Sequence, residues 1–485
     1  MPLEPAFIRE LRDRLSADEV LVGPGACVAF ECDALTMYRR VPDLVSLPRD
    51  SAGVQLIMEA AHRHGVPVVA RGAGTGLSGG ALPVADGCLL VLSRLNRILE
   101  VDPRRRIARV EPGVPNLAIS RAAARYGLCY APDPSSQLVC SIGGNVAENS
   151  GGVHCLKYGM TFHNLLEVRF VAADGQLVTV GSAVGEAPGL PLIALLCGSE
   201  GMLGIIVEVT VRLLPLPQTT ELLMAGFEEV AACAIAVGRI IAAGVVPAGL
   251  EMMDGPAIRA VEAYANCGYP AGAAALLLCE LDGPVADVAA DAARVEEIFA
   301  QAGATQIRRA ADPAERAKLW SGRKAAFPAV GRLAPDYYCM DGTIPRRHLP
   351  AVLAGISELS AAYGLPVANV FHAGDGNLHP LIMFDAGRPG DIERAERLGA
   401  EILELCIAAG GTVTGEHGVG VEKLGPMCSQ FGNEELAAFH AVKRAFDPRG
   451  LLNPGKAVPT LARCADYGAL RVQGGQLPFP HLPRF

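Results

Sequence analysis

From Pro42 to about Pro217 the chain alternates short apolar runs with glycine- and proline-rich breaks. Val66–Ala70, Cys88–Leu92, Ile107–Val110, Leu165–Ala172 and Ile205–Leu213 read as strands, because β-branched residues recur in runs of strand length bounded by turn residues. Ser51–His64 and Leu117–Tyr126 carry the helical period. The first 40 residues read as a helix, a short strand in VLVGP and a loop. Two prolines in Leu214–Gln218 interrupt the pattern after a long strand and mark a boundary. Beyond it, Glu228–Ala242, Gly249–Met253, Ala274–Leu281, Val285–Gln301 and Ala304–Arg309 alternate between helix and strand, and Pro389–Ala409 is a further long helix leading into the glycine-rich stretch Gly410–Gly420. The expected class is α+β, because the alternation is not a strict βαβ repeat.

The 485 residues suggest two to four domains. A chain that is 51% hydrophobic and 19% charged excludes a disordered protein. Its net charge of −9 argues against a nucleic-acid partner, which selects a positive field. The longest apolar stretch, Ala231–Leu250, carries Arg239 in its middle and Pro247 near its end, so it reads as a core helix followed by a strand and no membrane anchor is expected. The start, MPLEPAFIRELRDRL, has no apolar segment of signal-peptide type, and the expected compartment is the cytoplasm. The 14 cysteines include no C-x-x-C pair, so no iron–sulfur cluster or zinc knuckle is expected. Most sit in apolar runs, as small buried hydrophobes do.

Arg71–Gly80, RGAGTGLSGG, follows the strand VPVVA directly. Such a loop lets the backbone approach a ligand closely, and its successive amides suit a diphosphate. A dinucleotide fingerprint of G-x-G-x-x-G type needs a helix next, whereas ALPVADG and another strand follow; a P-loop needs G-K-[ST], which is absent. Ser141–Gly152, SIGGNVAENSGG, preceded by PDPSS, and Gly198–Ile206, GSEGMLGII, are two more small-residue loops. Three such loops in one domain suit an extended dinucleotide. The candidate cofactor contacts are Arg71, Gly72, Gly74, Thr75, Gly76 and Leu77; Pro132 and Asp133; Gly143, Gly144, Asn145, Asn149, Ser150 and Gly151; and Glu200, Gly201 and Ile206.

A second constellation lies in FHAGDGNLHP, where His372 and His379 are seven apart. In one straight strand they face opposite ways, but Gly374-Asp375-Gly376 is a turn signal, and a strand–turn–strand brings both imidazoles to one point. GEHGVG adds Glu416 and His417. Two histidines and a carboxylate form a common shell for Zn²⁺ or Mn²⁺, and they equally suit a hydrogen-bonded structural cluster. Arg323, in LWSGRKAAF, has the planar fork that binds a carboxylate in bidentate fashion, or a surface ion pair. His62, His64, His154 and His163 read as structural or surface residues.

RGAGTGLSGGALP, PDPSS, GGNVAENSGGVH, GSEGMLG, CMDGTIPRR, FHAGDGNLHP, GEHGVG and LLNPGK together resemble the vanillyl-alcohol-oxidase-type (PCMH-type) flavoproteins, and among them the FAD-linked subunits of the glycolate oxidase group, over essentially the whole chain. The resemblance implies an FAD-binding domain with two small sheets over residues 1–218 (core about 42–217), a cap-like α+β substrate domain over 219–415, and a segment 416–485 that completes the active site and packs back on the FAD domain. It implies noncovalent FAD, since no histidine lies in Arg71–Gly80, with Asn453 either facing the flavin or capping a turn before Pro454. It implies a divalent ion on His372, His379 and Glu416, with His417 as catalytic base and Arg323 on the substrate carboxylate. The implied reaction is oxidation of a small 2-hydroxy acid, glycolate to glyoxylate. Cys339 stands where hydroxyglutarate-oxidising relatives carry a lysine, which favours a monocarboxylate. The implied partners are a second flavin-type subunit and an iron–sulfur subunit, with peripheral association at the inner membrane through them. The alternatives are a stand-alone D-lactate dehydrogenase, a metallohydrolase using the His/His/Glu/His set, and a noncatalytic FAD-binding subunit.

Overall fold

A computed structural model describes residues 3–184 and 189–460. Contacts divide the chain into two compact units: Met1–Ser150 with Met160–Pro215 and His417–Phe485, and Gly151–Gly159 with Leu216–Glu416. The second unit takes up the chain from Leu216 to Glu416. Gly151–Gly159, however, goes with the second unit, because its polar side chains are tied there: His154 Nε2 lies 3.0 Å from Glu280, Tyr158 donates to Asp282 at 2.6 Å, and Lys157 pairs with Asp282. These ties span more than 120 residues of sequence, beyond the reach of local pattern.

Among the described residues, the first unit holds two larger sheets and a two-stranded pair, Leu128–Cys129 with Leu214–Pro215. A four-stranded sheet runs in the order Val20–Val22, Leu44–Ser46, Cys88–Val91, Val68–Arg71, with its last three strands parallel. Helix Ser51–His64 covers it with Val54, Ile57, Met58 and Ala61, the 3–4 spacing of a single face. Asp50 caps the helix start by accepting from the Gly53 amide at 2.9 Å, and Gly65, at φ +68°, ends it in the left-handed region. A five-stranded antiparallel sheet follows the order Ile98–Asp102, Ile107–Val110, Ile205–Arg212, Leu165–Val171, Leu177–Gly181. Its central strand is buried on both faces from Ile205 to Val211, and its one buried charge, Glu208, pairs with Arg109 and Arg169 on the neighbouring strands. The segment read as helix Leu117–Tyr126 is a helix over Asn116–Ala123 closed by a 3₁₀ turn.

The second unit is built on one nine-stranded antiparallel sheet. Thr219–Phe227 and Ala275–Gly283 pair along their full length, and Gly249–Asp254 lies between Ala275–Gly283 and Val367–His372. Helices Val230–Ala242 and Val285–Gln301 pack on the first pair, and Gly255–Ala265 packs on Val367–His372. The expected helix after Pro389 spans Asp391–Ala408. No helix among the described residues is long and apolar enough to cross a membrane, and Ala231–Leu250 is the expected core helix followed by a strand. No disulfide joins the 13 cysteines among the described residues; Cys464 lies outside them.

Candidate active site

In the first unit the strand Val68–Arg71 ends in the glycine-rich loop. Arg71 donates to the Cys32 carbonyl at 2.7 Å, and its guanidinium folds back so that a Cβ on Gly74, itself at φ +75°, would collide with it. Among the described residues, none of the amides from Gly72 to Ser78 donates a hydrogen bond to protein. A row of unspent donors beside a buried strand is the chemical complement of a dinucleotide's diphosphate. Ser78, wholly buried, leaves its Oγ without a partner among the described residues, and Asn453, 2% exposed, leaves its Oδ1 without one there, although its amide nitrogen donates to the Glu200 carbonyl. Buried polar atoms are normally bonded. These orphans, together with the open amides, fit a polar cofactor, and FAD supplies both phosphates and a ring with donors and acceptors.

The other loops spend more of their polar groups on the protein. Ser141 caps helix Ile142–Glu148 by accepting from Gly144 N. Gly143 donates to the Pro112 carbonyl and leaves no room for a Cβ against that proline. Asn145 accepts from Asn116 at 3.0 Å and donates to Ser150 Oγ at 3.3 Å, and Asn116 also donates to the Pro132 carbonyl, beside Asp133. Asn149, in the left-handed region at φ +53°, accepts from Phe162 N at 2.9 Å. Ile206 packs in the core of the five-stranded sheet. Gly201 leaves space only for the Asn453 side chain and Ala70. Glu200 takes the amides of Val419 (2.7 Å) and Gly420 (2.6 Å), so its carboxylate holds the end of GEHGVG. Val421 N donates to Ser78 O at 3.0 Å, which fastens that segment to the glycine loop. Burial pushes the nearby Glu148 carboxyl well up, and the Glu200 and Asp33 charges push it further.

In the second unit, the turn read between the two histidines is present. Val367–His372 ends at His372, Asp375 accepts from Asn377 N at 3.0 Å, Gly376 sits at φ +85°, and Asn377–Leu378 returns beside the strand. His372 and His379 thereby meet edge to face, with centroids 5.1 Å apart. Glu416 Oε1 lies 3.3 Å from His372 Nε2 and 3.0 Å from His379 Nε2. One donor atom from each of the three falls within 4.8 Å of the others, a His₂-carboxylate set of the kind that holds a divalent ion. Gly151 sits against Glu416, where a Cβ would press on the carboxylate. His417 follows Glu416 in the chain and belongs by its contacts to the first unit.

Two carboxylates that the motifs did not single out support this set. Asp341, wholly buried, accepts from Thr414 Oγ1 (2.6 Å), Gly415 N (3.0 Å) and Glu416 N (3.2 Å), and so places Glu416. Glu251, also wholly buried, sits opposite His372 in the sheet register; its Oε1 is 2.7 Å from His372 Nδ1 and its Oε2 is 2.8 Å from Arg323 Nε. Arg323 is 2% exposed, and its Nη1 makes no hydrogen bond among the described residues. Burial opposes charge on Glu251, yet His372 and Arg323 bring its carboxyl below the ordinary range. Burial likewise opposes charge on Glu416 and His372; mutual hydrogen bonding and attraction nevertheless hold Glu416 well below and, with Glu251, His372 well above their usual values. A charged residue inside the apolar strand GLEMMD was the available signal for Glu251.

The fold, two α+β units each built on its own sheets, has counterparts among solved structures. Two solved structures share it: p-cresol methylhydroxylase (TM-score 0.78, 17% identity, 94% of this chain and 97% of that one) and 4-ethylphenol oxidase from Gulosibacter chungangensis (TM-score 0.79, 18% identity, 94% and 97%). Residues 42–181 match the family described as FAD binding domain, and residues 216–457 match FAD linked oxidases, C-terminal domain. Among curated proteins, glycolate oxidase subunit GlcD of Escherichia coli K12 is 58% identical over 99% of this chain and 96% of its own length, and GlcD of Bacillus subtilis is 40% identical over 90% and 93%. A D-lactate dehydrogenase of Archaeoglobus fulgidus is 32% identical over 86% and 92%. The chain belongs to the FAD-linked oxidases and is an FAD-dependent oxidoreductase. The expected α+β class and FAD cofactor stand, and the metallohydrolase alternative falls with them.

Proposed function

We propose that the protein oxidises glycolate to glyoxylate as the FAD-linked subunit of a glycolate oxidase. The observation that carries this is the 58% identity to the E. coli glycolate oxidase subunit over nearly the whole of both chains. Bound FAD supplies the two-electron acceptor for the hydrogen leaving the α-carbon. The residues that would hold it are the open amides of Gly72–Ser78 and the side chains of Ser78 and Asn453. A Zn²⁺ or Mn²⁺ ion on His372, His379 and Glu416 would supply Lewis acidity toward the substrate hydroxyl.

The remaining work falls to this chain's own groups. Arg323 turns its Nη1 edge, which Glu251 does not take, toward the substrate carboxylate. His417, the residue after Glu416, accepts the hydroxyl proton as general base. Cys339 brings no second cation, which suits a monocarboxylate. The glycolate oxidase relatives are named as subunits, and this chain is read in the same way: a second flavin-type subunit and an iron–sulfur subunit would carry electrons onward, with any membrane contact made through them.

Anaerobic mixing with glycolate should bleach the oxidised flavin spectrum. No bleaching by glycolate, with bleaching by D-lactate, would replace this reading with the D-lactate dehydrogenase one, which the relatives at about one-third identity support.

A further inference from the structure

We infer that Glu251 is a positioning residue, which fixes His372 in the tautomer that ligates a metal and ties that histidine to Arg323 through a single carboxylate. This deepens the proposed function and rests on its metal reading. A neutral imidazole binds a metal through the nitrogen that lacks a proton, and a carboxylate on the other nitrogen decides which one that is. Glu251 Oε1 lies 2.7 Å from His372 Nδ1, so the proton belongs on Nδ1 and the Nε2 lone pair is directed to the side where Glu416 and His379 Nε2 lie. The second oxygen, Oε2, meets Arg323 at Nε (2.8 Å) and Nη2 (2.7 Å).

All three groups are almost wholly buried, and neighbouring strands set the spacing, since Glu251 and His372 are cross-strand partners. Neither side chain can turn away without leaving a buried charge unpaired. The carboxylate therefore holds the ion ligand and the arginine at one fixed separation. A glutamine would offer one acceptor and one donor where two donors converge, so it serves His372 or Arg323 but not both.

The test uses metal-free holoenzyme titrated with Zn²⁺ against a chromophoric chelator. Glu251→Gln should weaken zinc binding roughly 10–100-fold while flavin per chain stays at the wild-type level, and Glu251→Asp, which keeps the charge, should lose less. In zinc-loaded wild type labelled with ¹⁵N-histidine, the His372 signal, assigned by its loss in His372→Gln, should show a proton on Nδ1. Equal zinc affinity in wild type and Glu251→Gln, or an unprotonated Nδ1 in wild type, overturns the role. Wild type that takes up no zinc and no manganese overturns the metal reading first and this role with it. Should Glu251→Gln not fold, the wild-type nitrogen spectrum decides alone.

Discussion

Two loops, each following a strand, present their polar groups in opposite ways. In the first unit, the loop after Val68–Arg71 offers main-chain donors and almost no side chains, so its polar atoms stay unspent until a ligand arrives. In the second, the turn after Val367–His372 offers side chains already bonded to one another and braced by Glu251 and Asp341. A large cofactor with many oxygens is held by a row of backbone groups that any sequence of small residues can present. A single ion and a small acid demand a few side chains at fixed separations, and these need supports of their own.

That contrast can be broken by substitution. The largest expected effect is Gly74→Val: a β-branched side chain at φ +75° meets the Arg71 guanidinium, and flavin per chain, read from visible absorbance, should fall at least about tenfold while zinc affinity of the folded fraction is kept. The converse is Glu416→Gln, which should weaken zinc binding by about 100-fold and leave flavin content unchanged. Arg323→Met leaves the Glu251 charge buried with one partner fewer; removing one member of a buried pair costs about 3–5 kcal/mol, visible as a lower denaturation midpoint. Glu200→Gln keeps one acceptor for two amides, so the segment Val419–Gly420 should loosen at a cost of about 1–3 kcal/mol, read as faster amide exchange there.

The smallest effect concerns pH. Burial raises Asp254 to about 6 although it caps helix Gly255–Ala265 and accepts from Asn369. Its folded value lies above the unfolded one, so its contribution is complete below about pH 4 and is lost as pH rises through 6. Stability of the wild type should therefore gain roughly 1–3 kcal/mol from this group on going from pH 7.5 to 4.5, and Asp254→Asn should remove that part of the slope in denaturant titrations.

The same contrast explains what the sequence made legible. Glycine density is a local property, so the loop RGAGTGLSGG and the Gly-Asp-Gly turn between the two histidines are both legible in the sequence. Glu251 shows in the sequence only as a lone charge in GLEMMD; its partners lie 72 and 121 residues away, Arg323 on helix Pro313–Lys324 and His372 on a paired strand, so the contact itself is not legible locally. Asp341 carries no local signal of its role either, since the loop that carries Glu416 comes from more than 70 residues away to fold over it. The side chains of Asn145 and Asn149 are bonded to Asn116, Ser150 and Phe162, contacts that residue type alone does not reveal.

The pairing of Glu251 with His372 has a consequence for assembly of the large sheet. Sliding one strand by a single position would turn both groups to opposite faces and strand a carboxylate in hydrocarbon. Apolar neighbours such as Met252 and Met253 tolerate such a slip far better. The ionic contact thus proofreads alignment: only the correctly threaded sheet escapes the penalty, and that same threading is the one that assembles the imidazole pair.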